Sequence, residues 1–118
     1  MSQAAGLFLV DEIMLVAIDE NIDDGDIVAL QDRLAEEVHA NDAQGIVIDI
    51  SALEIVDTFV GRIIAQLAGI GVLLDAPTYL VGMRPAVAMT LVELGMTLPS
   101  VRTARNLQHA VSRLRSGR

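Results

Sequence analysis

Residues 45–74 read GIVIDISALEIVDTFVGRIIAQLAGIGVLL, and the periodicity changes twice within them. Gly45-Ile46-Val47-Ile48-Asp49-Ile50 is a β-branched apolar run, the composition of a strand covered on both faces. Ser51 to Asp57 turns the chain. Phe59, Val60, Ile63, Ile64, Leu67 and Leu74 then recur at helical spacing, so a helix is expected from about Thr58 onward. Asp57 is the expected N-cap, because a carboxylate there accepts from free N–H groups of the first turn. Thr58 then opens the helix, where those groups and the positive dipole end favour an anion.

Upstream, Asn21 to Asp26 breaks the chain, and Ile27, Leu30, Leu34 and Val38 follow at helical spacing. Asp23 or Asp24 caps this helix, and acids in its first turn suit its dipole. Leu7–Val10 and Ile13–Ile18 are expected to be two strands joined by a tight turn at Asp11-Glu12. Neither is a preferred hairpin residue, which leaves the turn type open. Downstream, Asp75-Ala76-Pro77 stops the long helix and Thr78–Val81 forms a short strand. Pro85 at N1 and Gly95 at C′ bracket a short helix expected to be mostly covered. Leu98–Val101 offers a last strand, and the run Thr103 to Asn106 caps a final helix with an apolar stripe of Leu107, Ala110, Val111 and Leu114. The order ββαβαβαβα implies one α/β domain over residues 1–118, mainly parallel, with the first hairpin as an antiparallel edge.

Composition removes several function classes. Without cysteine there is no disulfide, thiol catalysis, Cys-based zinc site or iron–sulfur cluster. All eight basic residues are arginine, so a Walker P-loop, a Schiff-base lysine and a receiver-type phosphoaspartate site each lack an essential part. A net charge of −8 argues against nucleic acid or an anionic membrane as main partner. The N-terminal run has no basic region and is broken by Asp11-Glu12, and no apolar run reaches membrane-span length; a cytoplasmic protein is expected. Charge is also lopsided. Nine of the sixteen acids lie in Asp19–Asp42, opposed only by Arg33, whereas five of the eight arginines lie in Arg102–Arg118, read as a solvated helix end.

Other candidate groups have plain structural readings. Asp49 ends a strand as a phosphoacceptor would, but its lysine is missing. His39 and His109 have no ligand neighbours, so no metal is expected. Gly69-Ile70-Gly71 is read as a helix terminator, not a dinucleotide loop, and Asp19–Asp26 as a solvated helix start. With no nucleophile paired to a base, no enzyme and no cofactor are expected. Thr58 differs, because Arg62 lies one turn later on the same face, followed by Ala65, Gln66 and Gly69. It is either a phosphoacceptor or a residue that merely starts the helix. The apolar surface of 59–74 is wider than one sheet face needs, so it either meets a partner or is tucked into its own domain.

The run VIDISALEIVDTFVGRII resembles the signature of STAS domains, the fold of bacterial anti-sigma factor antagonists. The shared features are a hydrophobic strand ending in Asp-hydrophobic-Ser, a spacer, and Asp followed by Ser or Thr opening a helix. Phe59 after the hydroxyl residue, and MRPAVAMTLVELGM, are similar to RsbS-type stressosome proteins. The resemblance implies a non-enzymatic scaffold that co-assembles with RsbR-type STAS sensor paralogues as homo- and hetero-oligomers. It implies sequestration of a GHKL-type serine/threonine switch kinase, phosphorylation at Thr58 that releases the kinase, and a PPM-type phosphatase that resets it. Asp57, Phe59 and Arg62 are then expected at the partner interface. The RsbS acceptor is typically serine; threonine at this place is common in the sensor paralogues. Alternatives are a free-standing antagonist that binds an anti-sigma kinase directly, and a STAS module that binds a small molecule or nucleotide.

Overall fold

The computed structural model describes residues 5–95 and 101–116. Strands β1 (Ala5–Val10) and β2 (Ile13–Ile18) precede helix α1 (Asp24–Asn41). Strand β3 (Gly45–Asp49), helix α2 (Thr58–Leu73), strand β4 (Thr78–Val81), helix α3 (Pro85–Glu93), strand β5 (Val101–Thr103) and helix α4 (Leu107–Ser116) follow. The described strands form one sheet in sequence order, β1-β2-β3-β4-β5. Only the β1–β2 pair is antiparallel, with Phe8 opposite Leu15; β2 to β5 run parallel. The α/β reading and its element order therefore hold. Of the run expected as the last strand, 98–100 lies outside the described residues, and the strand observed starts at Val101.

Alternation along the strands divides the core in two. Met14, Val16, Ile18, Ile46, Ile48 and Leu80 face α1, α2 and α3, whereas Ile13, Val47, Tyr79 and Val81 face α4 alone. Side chains two apart share a face, so each β-branched run feeds both layers. This explains why β3 is buried from Gly45 to Ile48.

Capping follows local chemistry. Asp23 accepts from the Asp26 amide at 2.9 Å while Asp26 Oδ2 accepts from the Asp23 amide at 3.2 Å, a closed capping box that selects Asp23 as the cap. The hairpin turn places Asp11 (φ 49°) and Glu12 (φ 68°) both in the left-handed region, the backbone a type I′ turn requires. The expected Gly95 terminator is present at φ +69°, its amide donating to Val92 O at 3.0 Å. The expectation for Gly69-Ile70-Gly71 fails. Helix α2 runs through both glycines, and Asp75 (φ 58°) terminates it, with the Ala76 amide donating to Gly71 O at 2.7 Å and the Asp75 amide to Val72 O at 3.4 Å. Gly71 is there for space, since a Cβ would meet Thr78 Oγ1 and Ala76 O. The expected cover on α3 is also incomplete. Val87 and Leu91 are buried, but Met89 is 65% and Val92 77% exposed.

On the α4 side, parallel register sets Arg102 beside Tyr79. The Tyr79 side chain is buried, and the exposed Arg102 and Arg113 act on its hydroxyl. Burial raises the phenol pKa, but hydrogen bonding from the two guanidinium groups and their charge outweigh it and hold the group below 10.0. Stabilisation from a lowered acid is present above the unfolded value and lost as pH falls through the folded one. Tyr79 is the chain's one tyrosine and there is no tryptophan, so absorbance isolates it. The tyrosinate titration of the native protein is expected at lower pH than in denaturant, and Arg113→Gln should move it upward. Coincident native and denatured titrations would contradict this.

Candidate functional site

Parallel strands deliver their loops to one end of the sheet, and two of those loops build the surroundings of Thr58. Asp49 ends β3, and its Oδ1 accepts from the Ser51 amide at 2.9 Å, so its carboxylate closes a local turn. The Ile50 amide donates to Val81 O at 3.1 Å, and the Leu53 amide to Ile50 O at 2.9 Å. Arg84, from the loop after β4, donates to Ser51 O at 3.1 Å. Gly82 (φ +77°) lets the two loops touch, since a Cβ would lie 2.9 Å from both the Ser51 amide nitrogen and Asp49 Oδ1. Buried Leu53 and Val56 pin the remainder of the loop from below.

Asp57 is the N-cap of α2, extended at φ −124°, ψ −176°, with its side chain accepting from the Val60 amide at 3.0 Å. The Gly61 amide donates to Asp57 O at 3.1 Å. Thr58 is thus the first helical residue, and it is exposed. Its hydroxyl has no hydrogen-bond partner among the described residues, and the same holds for the guanidinium of exposed Arg62 one turn on. Ala65 and Gln66 continue the exposed face, and Gln66 Oε1 accepts from Gln31 Nε2 of α1 at 2.8 Å. The result is an accessible hydroxyl on a rigid platform. It sits at the positive helix end, with a carboxylate before it and an unpaired cation after it.

The three residues read from sequence as a partner surface do not share one environment. Asp57 and Arg62 are exposed, but Phe59 packs partly against the core beneath α2. The broad apolar surface expected to flank Thr58 is largely buried, through Val60, Ile63, Ile64 and Leu67. Exposed apolar area lies instead at the other end of α2, where Leu73 is 86% exposed, and on α3. Beside Thr58 the apolar contact offered is Ile55, 77% exposed in the preceding loop. Sequence reasoning missed Ile55 because a loop has no period to say which of Leu53, Ile55 and Val56 turns outward. Arg84 carried a weak signal, since a residue before proline is held extended, as it is here at φ −83°, ψ 150°.

His109 has partners that the sequence did not reveal. Its Nδ1 accepts from the Arg105 amide at 3.2 Å, and its own amide donates to Asn106 Oδ1 at 2.8 Å, so both residues serve the start of α4. Three of the five acids in Asp19–Asp26 are likewise engaged, Asp19 with the Asn21 amide and Asp23 and Asp26 with each other's amides. An open groove of about 600 Å³ lies between the hairpin and α4, lined by residues such as Val10, Leu107, Val111 and Arg115 and by none of the Thr58 cluster. No helix among the described residues is long and apolar enough to cross a membrane.

The model of the STAS domain matches residues 9–110. This chain belongs to the STAS family. Over 82 residues the domain is 34% identical to the RsbT co-antagonist protein RsbRA of Bacillus subtilis (strain 168), a match covering 70% of this chain and 30% of that protein. A serine-to-glutamate variant of RsbS from Moorella thermoacetica superposes with a TM-score of 0.81 at 38% identity, covering 95% of each chain. A chain from the molecular architecture of the stressosome, a signal integration and transduction hub, gives a TM-score of 0.83 at 38% identity, covering 94% of this chain and 96% of that one. Within the family this STAS domain is thus similar to RsbS, as its residues 47–64 and 83–96 suggested.

Proposed function

We propose that this STAS domain is a non-enzymatic stressosome scaffold that sequesters a GHKL-type serine/threonine switch kinase and releases it when phosphorylated at Thr58. The observation that carries this is the exposed, unbonded Thr58 hydroxyl at the first position of α2. It stands in a chain 38% identical to a stressosome chain along nearly its whole length. In the transfer, Thr58 Oγ1 takes the γ-phosphoryl group of ATP, its proton passes to the kinase's base, and ADP leaves. The phosphate is well tolerated by the domain itself. The Thr58 and Phe59 amides and the dipole favour it, and Arg62 is one turn away, whereas the Val60 and Gly61 amides are already taken by Asp57. A partner seated over Thr58 meets the opposite situation, a buried dianion beside Asp57. Co-assembly is with RsbR-type STAS sensor paralogues, resetting is by a PPM-type phosphatase, and the setting is the cytoplasm.

The test is phosphosite mapping by mass spectrometry after incubation with the candidate kinase and ATP, with Thr58→Ala as control. Phosphate on Thr58 alone is expected. No phosphate, from a kinase shown active on a sensor paralogue, would reduce Thr58 to a helix-start residue. Light scattering with and without the paralogue separates the scaffold from a free-standing antagonist.

A further inference from the structure

Resting on the reading of Thr58 as a kinase target, we propose that Ile55 is the anchor by which the switch kinase holds the unmodified domain, and that Arg84 is the residue that positions it. Ile55 is exposed in the loop that leads into α2, between the buried Leu53 and Val56. Those two neighbours already fill the core side of the loop, so turning Ile55 inward would turn one of them out. The loop is also fixed at both ends. At its start the Arg84 guanidinium donates to Ser51 O at 3.1 Å and the Leu53 amide to Ile50 O at 2.9 Å. At its end the Asp57 carboxylate accepts from the Val60 amide at 3.0 Å. A β-branched side chain on a tethered loop has few rotamers to lose, so seating it in a partner costs little ordering entropy.

Position selects the partner. Ile55 precedes Thr58 by three residues, a chain length of about 10 Å at full extension. A specific complex covers about 800 Å² on each side, a patch about 16 Å in radius, so a kinase centred on the Thr58 hydroxyl covers Ile55 as well. Leu73, the most exposed apolar residue of α2, lies about 22 Å further along the helix at 1.5 Å per residue, beyond that patch. The exposed acids Glu54 and Asp57 flank Ile55 on the chain. An apolar anchor inside a charged rim is how such interfaces concentrate their affinity. The partner surface that fits is an apolar pocket with a basic edge, next to the site that presents the γ-phosphoryl group.

Kinetics and calorimetry with the purified candidate kinase test this. An anchor contributes equally before and during phosphoryl transfer, so Ile55→Ala should raise the KM for this protein about tenfold and leave kcat unchanged. Binding of the unphosphorylated variant, measured without ATP, should weaken by the same factor. Arg84→Met keeps the aliphatic stem and removes the donors; it should weaken binding in the same way, and Arg84→Lys, which keeps a donor, should recover most of the loss. Combined with Ile55→Ala, Arg84→Met should add nothing further, because the side chain it positions is gone. Melting curves establish that each variant is folded. A folded Ile55→Ala protein with unchanged affinity, or with a lowered kcat at unchanged KM, would overturn the anchor. Losses that add in the double variant would overturn the positioning role of Arg84. A kinase that binds the wild type through Ile55 but leaves Thr58 unmodified would overturn the phosphorylation switch and not the anchor, and no binding of the wild type would overturn both.

Discussion

Thr58→Glu is expected to weaken binding of the switch kinase by about two orders of magnitude or more, while Thr58→Ala leaves it at the unmodified level. The magnitude follows from where the charge lies. Thr58 is the first residue of α2, exposed, and preceded by the Asp57 carboxylate, which is held in place by its bond to the Val60 amide. A partner covering Thr58 must also cover the charge placed there. Desolvating an added carboxylate beside Asp57, with a single guanidinium from Arg62 to offset it, costs about 3 kcal/mol in the complex, and 1.4 kcal/mol is tenfold. Alanine removes a hydroxyl that bonds nothing in the free domain, so the domain loses little and the kinase is held persistently. Titration calorimetry on the three proteins decides the matter, with melting curves to establish that each is folded. Equal affinities for all three would sink the mechanism even if Thr58 is phosphorylated.

Much of this site was legible before the structure, for a local reason. A cap is encoded within three residues, so Asp57, Thr58 and Arg62 could be placed from the switch between the β-branched run 45–50 and the helical period from 59 onward. The α/β order was legible on the same grounds. What the sequence did not disclose depends on which surfaces meet across the fold. Phe59 is half-buried and Ile55 exposed because the loop 51–57 is tied to the loop after β4 through Arg84 and Gly82, a contact between residues more than thirty positions apart. Val92 and Met89 sit on a helix with an apolar sequence, yet α3 buries only Val87 and Leu91 against the first core layer and leaves its other side open. Arg102 and Arg113 were legible as basic residues but not as a pair, since it takes the register of β4 with β5 and the seating of α4 to bring both to Tyr79.

Two glycines two positions apart in α2 are expected to respond to alanine with opposite signs. Helix propensity alone predicts a gain of about 0.5–1 kcal/mol at either place, because glycine has more backbone freedom to lose on folding. At Gly69 nothing lies within 4 Å of an added Cβ, so Gly69→Ala should realise that gain. At Gly71 the new atom meets the Thr78 hydroxyl, lies 2.5 Å from Ala76 O and lies 3.3 Å from Ile46 Cδ1. The first two belong to the turn that ends α2 and starts β4. The Ala76 amide is itself bonded to Gly71 O at 2.7 Å, so that turn cannot move away without breaking the helix terminus. Overpacking against backbone then outweighs propensity, and Gly71→Ala should lose about 2–3 kcal/mol, on the order of 10 °C in Tm for a domain of this size. Urea denaturation of both variants, with unchanged m-values, measures the difference. A Gly71→Ala protein as stable as Gly69→Ala would mean that α2 is free to slide along the sheet. In that case the platform holding Thr58 against the β3 loop would be far less fixed than its hydrogen bonds indicate.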